Sequence, residues 1–325
     1  MPFESTLLIV LIALIADWFF GEPEILWKNM PHPVVLFGKS ISAFDKAWNK
    51  SEKSDAKRYR LGSLAIAILI AGAIGVGLGL QVLFARLGPV GFALETFIVF
   101  VLLAQKSLID HVAAVGEGLS RGGLEEGRKA IALIVGREPS CLDGPAMIRA
   151  SIESLSENFS DGVVAPALWY AVFGLPGILA YKMINTADSM IGHRNETYRY
   201  FGRTAAQIDD LANWLPARFS ALLIAAGALF LCGSQAARDS LAVAMSDAGL
   251  HRSPNSGWPE AAMAGGGGFA LGGPRVYPGE TVNQAFINGA GRRDLEIGDM
   301  ALAIRIFSAA CFALMALAGI CLIVF

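Results

Sequence analysis

Three carboxylates, Glu153, Glu157 and Asp161, follow Arg149 at four-residue intervals in DGPAMIRASIESLSENFSDG (143–162). On an α-helix that spacing makes one ridge of the four, set apart from an apolar face of Ile148, Ile152, Leu155 and Phe159. Three like charges in a row repel. The ridge is therefore either a solvated face, with an Arg149–Glu153 pair worth about a few tenths of a kcal/mol, or a site that gathers Mg2+ or a substrate. Asn158 and the nearby Asp143 favour the site. Further on, YKMINTADSM places Lys182, Asn185 and Ser189 on one helical face directly after an apolar stretch, where polar groups are costly and mark function. Asp209-Asp210, followed by Asn213 and Arg218, repeats the adjacent-carboxylate chemistry that suits magnesium. The bland readings of these two groups are a snorkelling lysine and helix caps. HRSPNSGWPEAAMAGGGG (251–268) adds Arg252, Asn255, Trp258 and Glu260 ahead of a glycine run. That run reads either as a flexible loop or as backbone able to approach an anion, and it matches neither the Walker A pattern nor G-x-G-x-x-G.

The elements that must position these residues belong to a membrane. The chain is 54% hydrophobic and 17% charged, with mean hydropathy +0.51, which is more apolar than a water-soluble domain. Leu61–Ala85 and Ile306–Phe325 run uncharged for 25 and 20 residues. Each is long enough to cross a hydrocarbon core of about 30 Å. Val90–Ala104 carries only Glu95 and follows the turn at 86–89, so it pairs with the first span as a membrane hairpin. Ser5–Ala16 lacks the basic flank and cleavage site of a signal peptide and reads as a retained, partly inserted segment. The fold class is thus all-α: a polytopic integral membrane protein with about four to six transmembrane or re-entrant helices and cytoplasm-facing polar helices and loops. We expect one membrane-embedded catalytic domain over residues 1–325. Cys141, Cys232, Cys311 and Cys321 form no C-x-x-C pair and are expected to be free thiols. The four histidines lack zinc spacing, and no basic stripe points to nucleic acid.

Residues 21–60 carry eight lysines and arginines, against Arg86 alone in the hairpin turn, so the positive-inside rule puts 21–60 in the cytoplasm. Residues 105–162 and 234–300 are assigned there too, which demands an even number of crossings between 163 and 233. Val163–Tyr181 is interrupted by Pro166 and Gly174-Leu-Pro-Gly177, and Phe219–Gly233 is only 15 residues long. Either both cross and export the basic residues of 182–214, or neither does and that polar block sits in a cavity open to the cytoplasm. The second arrangement is favoured.

DWFFGEPEILWKNMPHPVVLFGKSI (17–41), IVGREPSCLDGPAMIRASIESLSENFSDGVVAPALWYAVFGLPGILAYKMINTADSMIGHR (134–194), YFGRTAAQIDDLANWLPARFSA (200–221) and HRSPNSGWPEAAMAGGGG resemble, in order, the CobD/CbiB family. The resemblance implies an adenosylcobinamide-phosphate synthase of cobalamin biosynthesis. Such an enzyme joins a propionate carboxylate of adenosylcobyric acid to (R)-1-amino-2-propanol, or its O-phosphate, at the expense of ATP. A carboxylate is a poor acyl donor at neutral pH, so an acyl phosphate is the expected activated form. The expected cofactors are ATP and Mg2+, with Glu153, Glu157, Asp161, Asp209 and Asp210 as metal candidates. Arg137, Arg149, Lys182, Arg203, Arg218 and Arg252, with Asn185, Ser189 and Asn255, are the phosphate and substrate candidates. Asp188, Glu157 and His251 are the candidates for proton transfer.

Five of the tryptophans, Trp18, Trp27, Trp169, Trp214 and Trp258, are read as interfacial anchors or a corrinoid face, and His32 between two prolines as a rigid turn rather than a cobalt ligand. The expected setting is the cell inner membrane, multi-pass, with the site facing the cytoplasm and other membrane enzymes of late cobalamin assembly as associates. Two other classes share these features: a transporter of a polar or corrinoid solute, which usually shows paired repeats, and a Mg-dependent membrane transferase acting on a diphosphate through Asp209-Asp210.

Overall fold

The computed structural model of the chain describes residues 3–22, 27–28, 31–135, 139–277, 280–282 and 284–324. In chain order the helices are α1 (Phe3–Phe20), α2 (Pro33–Trp48), α3 (Asp55–Arg86), α4 (Pro89–Val101), α5 (Gln105–Ile131), α6 (Gly144–Phe159), α7 (Ala165–Ile191), α8 (Arg203–Ala212), α9 (Trp214–Cys232), α10 (Ser234–Asp247), α11 (Gly257–Gly267) and α12 (Ile297–Val324). A π-helical turn, Ser160–Val164, joins α6 to α7. Extended structure among the described residues is confined to two short antiparallel pairs, β1 (Leu271–Gly272) with β4 (Phe286–Ile287) and β2 (Arg275–Tyr277) with β3 (Glu280–Val282), and one bridge, Phe269 to Arg292. The chain is therefore an all-α polytopic membrane protein, and among the described residues five segments are long and apolar enough to cross a bilayer: Asp55–Arg86, Pro89–Ile131, Gly144–Ile191, Trp214–Cys232 and Ile297–Val324.

Two units divide the chain: Met1–Leu103, Ala165–Asn213 and Cys321–Phe325 in the first, Ala104–Val164 and Trp214–Ile320 in the second. The first is organised around α3. Its hairpin with α4 turns at Gly88, which has φ +56, and any side chain at Gly91 would overlap the Phe84 carbonyl. The expected membrane hairpin is present, although α4 spans only 13 residues before irregular backbone at the buried Leu102 and Leu103. Such backbone is tolerated at membrane depth only where protein covers it.

α7 is not a straight span. Gly174 has φ +65 and ψ −151, a conformation open to glycine, and a Cβ at Gly177 would overlap the Trp169 carbonyl. The helix therefore doubles back on itself. Its first limb meets α1, where the Thr6 hydroxyl donates to the Ala171 carbonyl at 3.0 Å. Its second limb runs down α3: a Cβ at Gly77 would lie 2.6 Å from Pro176, and one at Gly62 would overlap the Phe201 carbonyl. Small residues let these backbones touch.

That descent places the polar block against α2 and α3. Asn49 Nδ2 donates to the Thr197 carbonyl at 3.1 Å, Arg58 donates to the same oxygen, the Tyr198 hydroxyl donates to Asp45 at 3.3 Å, and the Ser63 and Thr204 hydroxyls meet at 2.7 Å. Residues 195–204 thus pack against 45–63. This packing is what the favoured arrangement, in which 182–214 is not exported, requires, while 144–191 and 214–232 are both long and apolar enough to cross.

In the second unit α9 qualifies as a span by length and apolarity, yet α10 returns along it after Gly233, and Gln235, Arg238 and Asp239 on α10 are exposed. The return brings Asn255 to within 2.7 Å of Arg218 near the start of α9. α9 and α10 thus form a helical hairpin. The glycine run is a correction: Gly265 and Gly266 are buried inside α11, not in a loop. A Cβ at Gly265 would overlap Asp239 of α10, so the glycines serve close helix packing, which the Ser240 hydroxyl completes by donating to the Ala262 carbonyl at 2.8 Å. Accessibility probes at residues 55, 120, 195 and 285 are expected to label from the cytoplasmic side alone, and labelling of 195 from the opposite side to 55 would overturn the α7 reversal.

Candidate functional site

In the first unit Lys182, Asn185, Asp188 and Ser189 lie on the second limb of α7, and α8 docks against the end of that limb. The docking depends on Gly202, where a Cβ would overlap the Ile191 carbonyl. It delivers Asp209 to α7. Asp209 is 8% exposed, and its Oδ2 accepts from Asn213 Nδ2 at 3.0 Å, while Asn213 Oδ1 accepts the Tyr181 hydroxyl at 2.8 Å. Its Oδ1 is buried with no hydrogen-bond partner among the described residues. Burial, and then the neighbouring Asp188 carboxylate, push the Asp209 carboxyl up to about 7, against the Asn213 and Asn185 amides that favour the charged form. Asp210 is also raised, by burial, with Arg194 opposing the shift. At Gly192 a Cβ would overlap Asp188 Oδ1, so that glycine leaves room for the Asp188 carboxylate.

Around this cluster the hydroxyls satisfy themselves locally: Thr186 donates to the Lys182 carbonyl at 2.6 Å and Ser189 to the Asn185 carbonyl at 2.9 Å. The Lys182 charge reaches His32, whose pKa is lowered chiefly by burial. His32 caps α2, its Nδ1 accepting from Val34 N at 3.2 Å, and its Nε2 lies 3.3 Å from the Val101 carbonyl, so the rigid-turn reading stands. One flank of α8 faces an apolar recess of about 440 Å3 lined by Trp169, Phe173, Tyr181, Ile208 and Leu211. Trp169 closes it by donating Nε1–H to the Ala212 carbonyl at 3.2 Å.

The second unit holds the ridge, and it is not a solvated face. Glu153 is 5% exposed and its Oε1 accepts the Gly272 amide at 2.7 Å, while Glu157 Oε1 accepts the Ser256 hydroxyl at 2.8 Å. Ile148, Ile152, Leu155 and Phe159 are buried on the apolar face, as the spacing predicts. The π turn widens the helix at Ser160, so Asp161 leaves the α-helical ridge. Arg149 donates to the Arg293 carbonyl at 2.7 Å and lies over the Phe286 ring. Arg218 donates to Asn255 at 2.7 Å, and its guanidinium lies 4.9 Å from the Trp214 ring and 4.8 Å from the Trp258 ring. His251 accepts the Ser253 amide through Nδ1 at 3.0 Å and sets Nε2 3.6 Å from the buried Glu260.

Of the predicted residues, the structure gathers the half-buried Asn185 and Asp188 around the buried Asp209 and places Arg203 and Asp210 beside them on α8. Glu153, Glu157, Arg218, Asn255 and His251 belong to the second unit, Arg252 is exposed, and Arg137 lies outside the described residues. Among the described residues no three His, Cys, Asp or Glu side chains are grouped to hold a metal ion. The four cysteines are free, as expected. Sequence reasoning missed Tyr181 and Gly202, whose partners Asn213 and Ile191 lie 32 and 11 residues away, and the local support that Gly192 gives Asp188 and Asn213 gives Asp209.

These features define a class: a polytopic helical membrane protein that carries a buried carboxylate–carboxamide group beside an apolar recess. The chain belongs to the CobD/CbiB family, whose profile, described as CobD/Cbib protein, matches residues 10–307. It is 56% identical over 308 residues to the cobalamin biosynthesis protein CobD of Sinorhizobium sp, covering 95% of each chain. The protein of the same name from Brucella suis biovar 1 is 49% identical over 304 residues, covering 94% of this chain and 93% of its own, and that of Rhodobacter capsulatus is 43% identical over 280 residues, 86% of each. No solved structure matches the chain.

Proposed function

We propose that this protein acts in cobalamin biosynthesis as an ATP-dependent amide ligase, joining adenosylcobyric acid to (R)-1-amino-2-propanol or its O-phosphate. Membership of a family whose relatives carry the cobalamin biosynthesis name supports the pathway. The observation that supports the chemistry is Asp209, a buried carboxyl with one oxygen that has no hydrogen-bond partner among the described residues, set beside Asp188 and the Asn185 amide.

Asp209 fits Mg2+ brought in on a nucleotide, because magnesium at phosphates takes only one or two carboxylates from the protein. When bound, the ion would neutralise charge on the phosphate being transferred. In the reaction the substrate carboxylate oxygen bonds to the γ-phosphorus as ADP leaves. The amine nitrogen then bonds to the acyl carbon, phosphate leaves, and one proton of the attacking nitrogen passes to a base. Asp188 is assigned that role, since both ring nitrogens of His251 face contacts within its own unit. The apolar recess beside α8 suits the hydrophobic flank of a large amphipathic substrate.

The test is purified protein in nanodiscs with adenosylcobyric acid, ATP, Mg2+ and either amine, read by mass spectrometry. Amide product with stoichiometric ADP supports the ligase; movement of solute without product would support a carrier instead. Lys182→Arg sharpens the assay. A lysine that only snorkels tolerates the change, whereas one that meets a phosphate as a compact point charge does not accept the planar guanidinium. Severe loss of turnover with normal insertion is expected, and near-normal turnover at saturating and limiting ATP would make Lys182 structural.

A further inference from the structure

Beyond the carboxylate cluster, the same unit contains a second concavity of about 390 Å3, formed by the loop after α7 and the exposed flank of α8. Arg194, Arg199, Arg203 and His193 line it, and Asp210 is the carboxylate among its walls. Three guanidinium groups around one carboxylate leave a net positive hollow. Such a hollow carries self-repulsion that a visiting anion removes.

Arg194 faces Asp210, whereas Arg199 and Arg203 are held by aromatic rings. Arg199 lies over the Tyr200 ring at 5.8 Å and Arg203 over the Tyr59 ring at 5.7 Å. Among the described residues neither side chain forms an ion pair with a carboxylate. Stacking fixes a guanidinium plane while leaving its N–H donors available. The loop that carries Arg194 and Arg199 is itself anchored, since the Thr197 carbonyl accepts from Asn49 and Arg58, and the Tyr198 hydroxyl donates to Asp45. α8 starts at Arg203 with Gly202 as its N-cap and no capping side chain, so the first-turn N–H groups add positive potential at the same end.

We propose that this hollow is a binding subsite for a phosphate group. Paired guanidinium forks match the oxygens of a phosphate in geometry as well as charge. α8 connects it to the reaction centre, with Asp210 on the hollow and the adjacent Asp209 in the buried cluster. The inference rests on the ligase reading only for the ligand's role in turnover; the phosphate itself can come from ATP, from aminopropanol phosphate or from a lipid headgroup.

Full-length protein in zwitterionic nanodiscs is titrated calorimetrically with ATP and with aminopropanol phosphate, and the ATP titration is repeated in nanodiscs containing phosphatidylglycerol. Arg199→Gln/Arg203→Gln is expected to weaken binding of the phosphate source at least tenfold with an unchanged melting temperature. Weakening confined to ATP or to aminopropanol phosphate names the source, as does competition by phosphatidylglycerol that disappears in the double variant, and each supports the subsite. Equal affinities of wild type and double variant for all three sources would overturn it. Because the readout is binding, loss of affinity in the variant upholds the subsite even in a protein that makes no amide, and failure of the ligase reading is seen separately in the product assay. In turnover, the KM of the phosphate-bearing substrate rises at least tenfold while that of free aminopropanol is unchanged.

Discussion

Asp209→Asn is expected to lower ligation by at least roughly 100-fold, the upper end of what losing one supporting group around a metal site costs. The same variant should gain stability at alkaline pH. The carboxyl is raised to about 7 in the folded protein by burial and by Asp188, from an ordinary value of 3.8. A raised folded pKa means that the folded state holds the proton more tightly than the unfolded chain does. The resulting stabilisation is complete below about pH 4 and is lost as pH rises through about 7. Metal-free wild type should therefore melt at progressively lower temperature from pH 5 to pH 8, and Asp209→Asn, which keeps the shape and the Asn213 contact without the charge, should flatten that decline. Mg2+ with nucleotide should flatten it in the wild type. Melting curves in detergent at three pH values, taken with turnover, check both halves. Full turnover in the variant, or an unchanged pH slope, would remove Asp209 from the reaction centre.

The second large effect is mechanical. Gly202→Ala forces a methyl group into the Ile191 carbonyl, a backbone atom that cannot rotate away. Overpacking of this kind costs on the order of 3 kcal/mol, and it separates α8 from α7, so Asp209 loses its place beside Asp188. Gly72 on α3 is the control, because nothing lies within 4 Å of a Cβ there. Gly72→Ala should be neutral or stabilising by about 0.5–1 kcal/mol, since alanine is the better helix former. Equal melting temperatures for the two variants would show that the α7–α8 contact does not fix the site.

Composition and run length determined the class of this protein directly. Apolar stretches such as Leu61–Ala85 have few solutions other than a helix in lipid, and Ile148, Ile152, Leu155 and Phe159 had to share a face because helical periodicity is local. Motif order over most of the chain determined the family, and Lys182, Asn185 and Asp209-Asp210 were legible as costly polar groups beside apolar segments. What only the tertiary structure decided were the pairings between distant residues. Spacing alone left Glu153 and Glu157 equally suited to water and to a metal, until Gly272 and Ser256 supplied their partners. The glycine run had the composition of a loop, yet Gly265–Gly267 are helical, and at Gly265 α10 approaches too closely for a Cβ. Gly174 marked an interruption, but whether the chain bends or turns back depends on what its second limb packs against, and that partner is α3, a hundred residues earlier. Such contacts leave no periodic trace in the chain, because each is set by surfaces that meet only after the helices have packed.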